Sequence, residues 1–307
     1  MTIIIIISVN SWFSLWFVME INLISFIPLL IEKKRKYNSE SSMKYFLIQT
    51  IASILIITPL LIININYLSQ SILIIALRIK LAVAPLHKWI LTISDNINWK
   101  ILLILLTLQK INPLILYFYL IKNNYILNEI LIFSCAFIRA TAALNQNSLR
   151  KLIIYSSIAQ ISWILRALII NLQISISYYL VYIIIFRSVI IFFYVNKINT
   201  INNLINNKKI ITLITIVSLI SLRGLPPLTG FLPKIIIITE IIKNNNYIII
   251  VILIFSTFIT ILFYMRINIT IICYYFSLNN VFKKKNNDNM KINWINLVII
   301  IFPPLFI

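Results

Sequence analysis

Hydrophobic positions along the chain gather into long runs separated by short polar gaps, with no sustained period-two alternation. A helix needs about 20 apolar residues to cross a hydrocarbon core about 30 Å thick. Ten runs suit such crossings: 11–31, 43–65, 68–93, 97–121, 124–145, 149–170, 173–196, 208–243, 246–275 and 291–307. Most are apolar around the whole circumference, as lipid-facing or buried helices are. Without alternation a membrane barrel is excluded. The pattern therefore predicts an all-α polytopic membrane protein, a single transmembrane domain over 1–307 with no large soluble module. The run 208–243 is too long for one straight crossing and is interrupted at Gly224-Leu225-Pro226-Pro227, which predicts a discontinuous helix. Pro85 predicts a bend within 68–93. Residues 1–10 are apolar but too short to span or to serve as a signal peptide, and read as the stub of a first helix. The longest polar stretch, about 277–293, reads as a linker before the short C-terminal run.

The polar gaps orient these crossings. Gaps after odd-numbered runs hold Lys33, Lys34, Arg35, Lys36, Lys100, Arg150, Lys151, Lys197, Lys208, Lys209, Lys283, Lys284, Lys285 and Lys291. Those after even-numbered runs hold only Lys122 and Lys243. Basic loops stay on the cytoplasm-like side, so the odd gaps face inward, toward the matrix if the membrane is mitochondrial.

Composition narrows the picture further. Hydrophobic residues are 61% of 307, charged residues 11%, and mean hydropathy is +0.99. No soluble domain, coiled coil or disordered chain has that balance. The net charge of +20 does not imply nucleic acid, because the bases sit between apolar runs and not along one face. Cys135 and Cys273 lack CxxC spacing and read as free packing cysteines, not as iron–sulfur or metal ligands. Trp12, Trp16, Trp89 and Trp294 lie near run ends and read as interface anchors or packing, not a quinone site.

Charges inside the runs carry the candidate chemistry, since burial in lipid is costly. Glu20 sits ten residues from either end of 11–31, too deep for a short carboxylate to reach water. Lys80 is midway along 68–93, and His87 follows by seven residues, which on an unbroken helix places both on one face. Lys110 is central in 97–121, three residues before Pro113; Lys234 directly follows Pro233 in 208–243, which also holds Glu240. Desolvation disfavours the charged form of lysine and carboxylate alike, and a neighbouring opposite charge restores it. A proton on such a group can therefore be driven by changing the charge beside it. A lone buried lysine fits a structural ion pair as well as transport. Three lysines, each beside a proline within a run, favour ion translocation.

Five stretches resemble a known family. They are Glu20-Ile21-Asn22-Leu23-Ile24-Ser25-Phe26-Ile27-Pro28-Leu29-Leu30; Lys80 to Trp89; Gln109-Lys110-Ile111-Asn112-Pro113; Leu144 to Leu152 with Tyr155-Ser156-Ser157; and Gly224 to Lys234. In order and spacing they resemble subunit 2 of mitochondrial NADH:ubiquinone oxidoreductase (complex I) of an invertebrate. The resemblance implies an antiporter-like fold of inverted five-helix repeats with two discontinuous helices. The first part is 11–121 with broken helix 68–93, the second 124–275 with broken helix 208–243, and 291–307 is a C-terminal helix. Animal members keep eleven helices, so 1–10 would be the truncated first, with the family's usual start lying upstream. The resemblance also implies roles: Glu20 pairs with Lys80, Lys110 is the central relay lysine, Lys234 that of the second broken helix, and His87 bridges between lysines. It implies a multi-pass protein of the mitochondrial inner membrane, coupled to electron transfer from NADH to ubiquinone. NADH, FMN, iron–sulfur clusters and ubiquinone would belong to other subunits, and this chain has no dinucleotide fingerprint. Expected partners are the other core and accessory subunits of the membrane arm and lipids including cardiolipin. The alternatives are a free-standing cation/proton antiporter of the same fold and a scaffold whose charges only hold helices together.

Some residues depart from that pattern. Gly is 2 of 307 and Met 5, while Ile is about a quarter, far above ordinary usage. Ala142-Ala143 stands where the family has two glycines, and Arg78, Arg139, Arg166, Arg187 and Arg223 stand where it has uncharged residues. Each such arginine costs about 3 kcal/mol at a helix centre. Invertebrate mitochondria read AGA and AGG as Ser and AUA as Met, so a standard-code translation produces both excesses. Arg150 and Arg266 match the family's own arginines. AT-rich base composition is the competing explanation for Ile, Asn and Lys, but not for midmembrane Arg.

Overall fold

The structure is a computed structural model, and it describes residues 2–9, 11–31, 36–61, 67–120, 125–142, 146–201, 203, 209–225 and 228–281. The predicted run 291–307, with Trp294, lies outside the described residues, as do Pro226 and Pro227. Among those described the chain is helical, with one isolated bridge between Ser148 and Thr200. The helices are α1 Thr2–Ser8, α2 Trp12–Ile31, α3 Lys36–Leu61, α4 Tyr67–Leu81, α5 Lys88–Ser94, α6 Trp99–Leu106, α7 Leu108–Leu120, α8 Tyr125–Ala142, α9 Leu149–Ile170, α10 Leu172–Val195, α11 Lys209–Ser221, α12 Leu232–Lys243 and α13 Tyr247–Val281. Six of the described helical spans are long and apolar enough to cross a membrane, the pair α6–α7 counting as one.

At the centre stands α9, buried along nearly all its length and packed against α5, α6, α8, α10 and α12. An all-round apolar helix needs such a place. At the other extreme α13 exposes Ile248, Val251, Phe255, Phe258 and Leu262, the surface expected toward lipid.

Two crossings are discontinuous. The first breaks between α4 and α5 over Ala82–His87, where Ala82 takes φ 54°. Val83 N–H still reaches the Arg78 carbonyl at 3.0 Å, and the Trp89 indole donates to the Ile79 carbonyl at 3.1 Å. Trp89 is thus buried, and its indole is a second donor to the Ile79 carbonyl, which also accepts the Ala82 N–H at 3.1 Å. It is not an interface anchor. The second breaks between α11 and α12. Gly224 has φ +70°, and a Cβ there would collide with the Gly230 carbonyl; one on Gly230 would collide with that of Ser221. The chain's two glycines let backbone pack on backbone here. The broken crossings follow even and odd gaps respectively, so they run in opposite directions through the membrane, as inverted repeats do.

The fourth crossing, over 97–121, holds an interruption that no proline break marks. It is interrupted at Thr107 (φ −111°, ψ −81°), which divides α6 from α7. No proline or glycine lies there. The Leu106 and Thr107 carbonyls accept hydrogen bonds from the Tyr182 and Tyr179 hydroxyls of α10, at 2.8 and 2.6 Å, and that of Thr107 also accepts the Lys110 N–H at 3.0 Å.

The basic ends are fastened together. Lys151 pairs with Asp95 at 2.7 Å, and Arg150 donates to the Asp95 carbonyl at 2.7 Å and to Asn199 Oδ1 at 3.1 Å. Trp99 donates to the same Asn199 oxygen at 3.0 Å.

Candidate functional site

All three lysines sit at helix interruptions. Lys80 closes α4 just before the first break, Lys110 lies in the first turn of α7 after Thr107, and Lys234 lies in the first turn of α12 after the second break. All three are buried. An ammonium group at a helix C-terminus is favoured by the macrodipole and one at an N-terminus opposed, so Lys80 is held differently from the other two.

Lys80 and Lys110 line one cavity of about 20 Å³, room for about one water molecule. Asn22, Gln49 and Gln109 share its wall, and Asn22 donates to Gln109 at 2.8 Å. A polar cavity of that size is one that water can occupy. The Glu20 carboxylate acts electrostatically on Lys80, yet no direct ion pair joins them; its Oε1 is buried without a hydrogen-bond partner. The gap matches a pair that water or a small movement could close.

His87 lies beyond the end of α4, in the first break. The helix carrying Lys80 ends at Leu81, so the seven-residue spacing no longer places the two on one face. Its ring meets Tyr155 edge-on, with centroids 5.9 Å apart, and it lines no part of the Lys80–Lys110 cavity. Glu240 also leaves the candidate set: it ends α12 paired with Lys243 at 2.6 Å, a partly exposed pair at the outer end.

From Lys110 onward the contacts run along α9. Lys110 Nζ donates to Ser157 Oγ at 3.1 Å and stands 5.9 Å from the Tyr182 ring centroid. One turn on, Gln160 accepts from the Tyr178 hydroxyl and donates to the Leu222 carbonyl at 2.7 Å, at the edge of the second break. Next, the Trp163 ring faces Lys234 Nζ at 5.6 Å, while that ammonium donates to the Arg223 carbonyl. A second cavity, about 10 Å³ and lined by Gln160, Tyr178, Tyr182 and Gly230, lies between. The sequence reading misses Gln160, Tyr178 and Tyr182, which look like ordinary polar and aromatic residues of buried helices. Only the three-residue spacing of Ser157, Gln160 and Trp163 hints at a common stripe.

The arginines divide. Arg166 is buried and paired with Glu129 at 3.5 Å. Arg187 and Arg266 are exposed, Arg78 is partly buried, and the Arg139 side chain lies outside the described residues. Arg223 is buried over the Tyr264 ring, 3.7 Å from the centroid. Cys135 is buried and Cys273 exposed, both free.

The sequence matches the family described as NADH:quinone oxidoreductase/Mrp antiporter, transmembrane region, over residues 9–66 and 60–260. The chain belongs to this family. Among curated relatives, NADH-ubiquinone oxidoreductase chain 2 of Anopheles gambiae is 35% identical over 95% of this chain and 89% of its own length. That of Aedes aegypti is 36% identical over 92% and 87%. The fold is also that of a chain in respiratory complex I from Thermus thermophilus with bound aureothin, at TM-score 0.78, 18% identity, and 97% and 72% coverage. A chain of the Mrp complex from Dietzia sp. gives TM-score 0.72 at 17% identity, covering 84% of this chain and 56% of that one. The antiporter-like, multi-pass fold expected from the sequence is therefore the fold of the chain.

Proposed function

We propose that the chain is a core membrane-arm subunit of respiratory complex I in the mitochondrial inner membrane. In this reading it is an antiporter-like proton-translocating module coupled to electron transfer from NADH to ubiquinone, and so one subunit of a proton-translocating NADH:ubiquinone reductase. The observation that carries the reading is the file of buried lysines at helix interruptions, with Lys80 and Lys110 on one polar cavity and Lys110 on Ser157 of the central helix. Redox chemistry belongs to other subunits. Their charge perturbation reaches Glu20, whose approach to Lys80 or withdrawal from it changes the field at Lys110. Lys110 then takes up or yields a proton through water in the shared cavity, and Lys234 receives it past Ser157 and Gln160. The partners are the other core and accessory subunits of the arm, with inner-membrane lipids, cardiolipin included, covering faces such as the outer side of α13.

The test is the assembled complex carrying Lys110→Ala in proteoliposomes, with NADH oxidation and proton uptake measured together. A fall in protons moved per NADH, with uncoupled oxidation retained, supports the relay. An unchanged ratio leaves the lysines as scaffold. The fold shared with the Mrp chain favours a second reading, a cation/proton antiporter working alone. Sodium or potassium exchange by the isolated chain in liposomes would select it.

A further inference from the structure

The polar stripe on α9 does not end at the residue facing Lys234. Ser157, Gln160, Trp163 and Arg166 follow one another at three-residue spacing. At 100° per residue each step turns the stripe by about 60°, so it winds about half a turn around the helix while rising about 14 Å. Its first member meets Lys110 and its third meets Lys234. Its fourth, Arg166, is 1% exposed and reaches Glu129 of α8 at 3.5 Å. Glu129 in turn lines the largest cavity among those described, about 550 Å³, a groove between α8 and α13 whose wall is mostly isoleucine and Phe133, with Asn245, Asn246 and Tyr247 as its other polar members. Both helices begin at this end, after the gaps poor in basic residues, so the groove opens toward the outer face.

We propose that Glu129, held by Arg166, is the outward proton-exit group of this module, a role that rests on the proton-translocating reading above. The ion pair is long and Glu129 Oε1 accepts no hydrogen bond, so the carboxylate is held near the guanidinium without being locked to it. A proton leaving the Lys234 ammonium travels through water past Trp163 to the Glu129 carboxylate. Lys234 is left as the free amine and Glu129 as the neutral acid. The acid then loses the proton to water beside Asn245, Asn246 and Tyr247, the polar residues of the groove at the outer loop, and returns to Arg166. Trp163, buried and facing Lys234, comes one step before Arg166 on the stripe. Arg166 is a positioning residue, and Glu129 is the group that carries the proton.

The test uses the assembled complex in proteoliposomes, comparing Glu129→Gln, Glu129→Asp and Lys110→Ala. Glu129→Gln is expected to lower protons moved per NADH while leaving uncoupled NADH oxidation unchanged, and Glu129→Asp to restore part of the ratio, which a packing role would not do. Should Glu129→Gln fail to assemble, Ile248→Trp narrows the same groove at a 77% exposed position, and the same fall is expected. A parental ratio in Glu129→Gln, or in Ile248→Trp where that variant stands in, overturns the exit assignment while Lys110→Ala still lowers it. If Lys110→Ala also pumps normally, the translocation reading itself has failed.

Discussion

The two broken helices solve one problem by different means. Between α4 and α5 the chain turns through Ala82, a residue with a Cβ at positive φ, and the opening beside it is lined with amides and shared by two lysines. Between α11 and α12 the turn uses Gly224 and Gly230, backbone packs on backbone, and the cavity beside it is smaller, about 10 Å³. The Lys234 ammonium there donates to a carbonyl, not to an amide-lined cavity. Lys80 also ends its half-helix while Lys234 begins its own, so the macrodipoles favour the first cation and oppose the second. The first break is built to take in water beside a carboxylate, and the second to hold an ammonium group close until its field changes.

The sharpest way to break this comparison is Gly230→Ala. The added methyl collides with the Ser221 carbonyl, where overpacking costs about 1–3 kcal/mol or more; loss of assembled complex on native gels is expected, and normal assembly would show that the second break is loose. Drying the first break comes next. Asn22→Leu with Gln109→Leu removes two cavity-lining amides that bond each other, and protons moved per NADH should fall with the complex still assembled. Gln160→Leu strands the Leu222 carbonyl and the Tyr178 hydroxyl. Stranding buried groups costs about 1–3 kcal/mol each, so a lower Tm is expected along with weaker pumping. Ala82→Gly has the smallest effect. Relief of about 1–2 kcal/mol of left-handed strain is offset by glycine's extra freedom in the unfolded chain, so the Tm should barely move.

Prolines made the breaks legible, because Pro85 and Pro226-Pro227 lie in runs otherwise fit to cross. The bounds of α9 were legible too, its run 149–170 being flanked by polar residues. The interruption at Thr107 was not, since no local residue announces it and the tyrosine hydroxyls that bond its carbonyls come from α10. The seven-residue spacing of Lys80 and His87 does not place them on one helix face, because α4 ends at Leu81 between them. Glu129 lies only five residues inside its run and reads as an end residue until Arg166 is seen beside it. That pairing gives Arg166 a structural place, whereas Arg223 has an aromatic face and no acidic partner among the described residues. The codon argument therefore bears most heavily on position 223. Tandem mass spectrometry of the native polypeptide is expected to find serine there, and an arginine would end that explanation.

The cluster of Arg150, Lys151, Asp95 and Asn199 fixes the inner end of α9 to both neighbouring crossings. A rod pinned at one end can move only as a lever. Over the 22 residues of α9, about 33 Å at 1.5 Å per residue, a tilt of about 5° displaces the free tip by about 3 Å. That travel falls where Arg166 meets Glu129 and leaves the inner leaflet nearly still, so a small rocking of this one helix suffices to lengthen that contact.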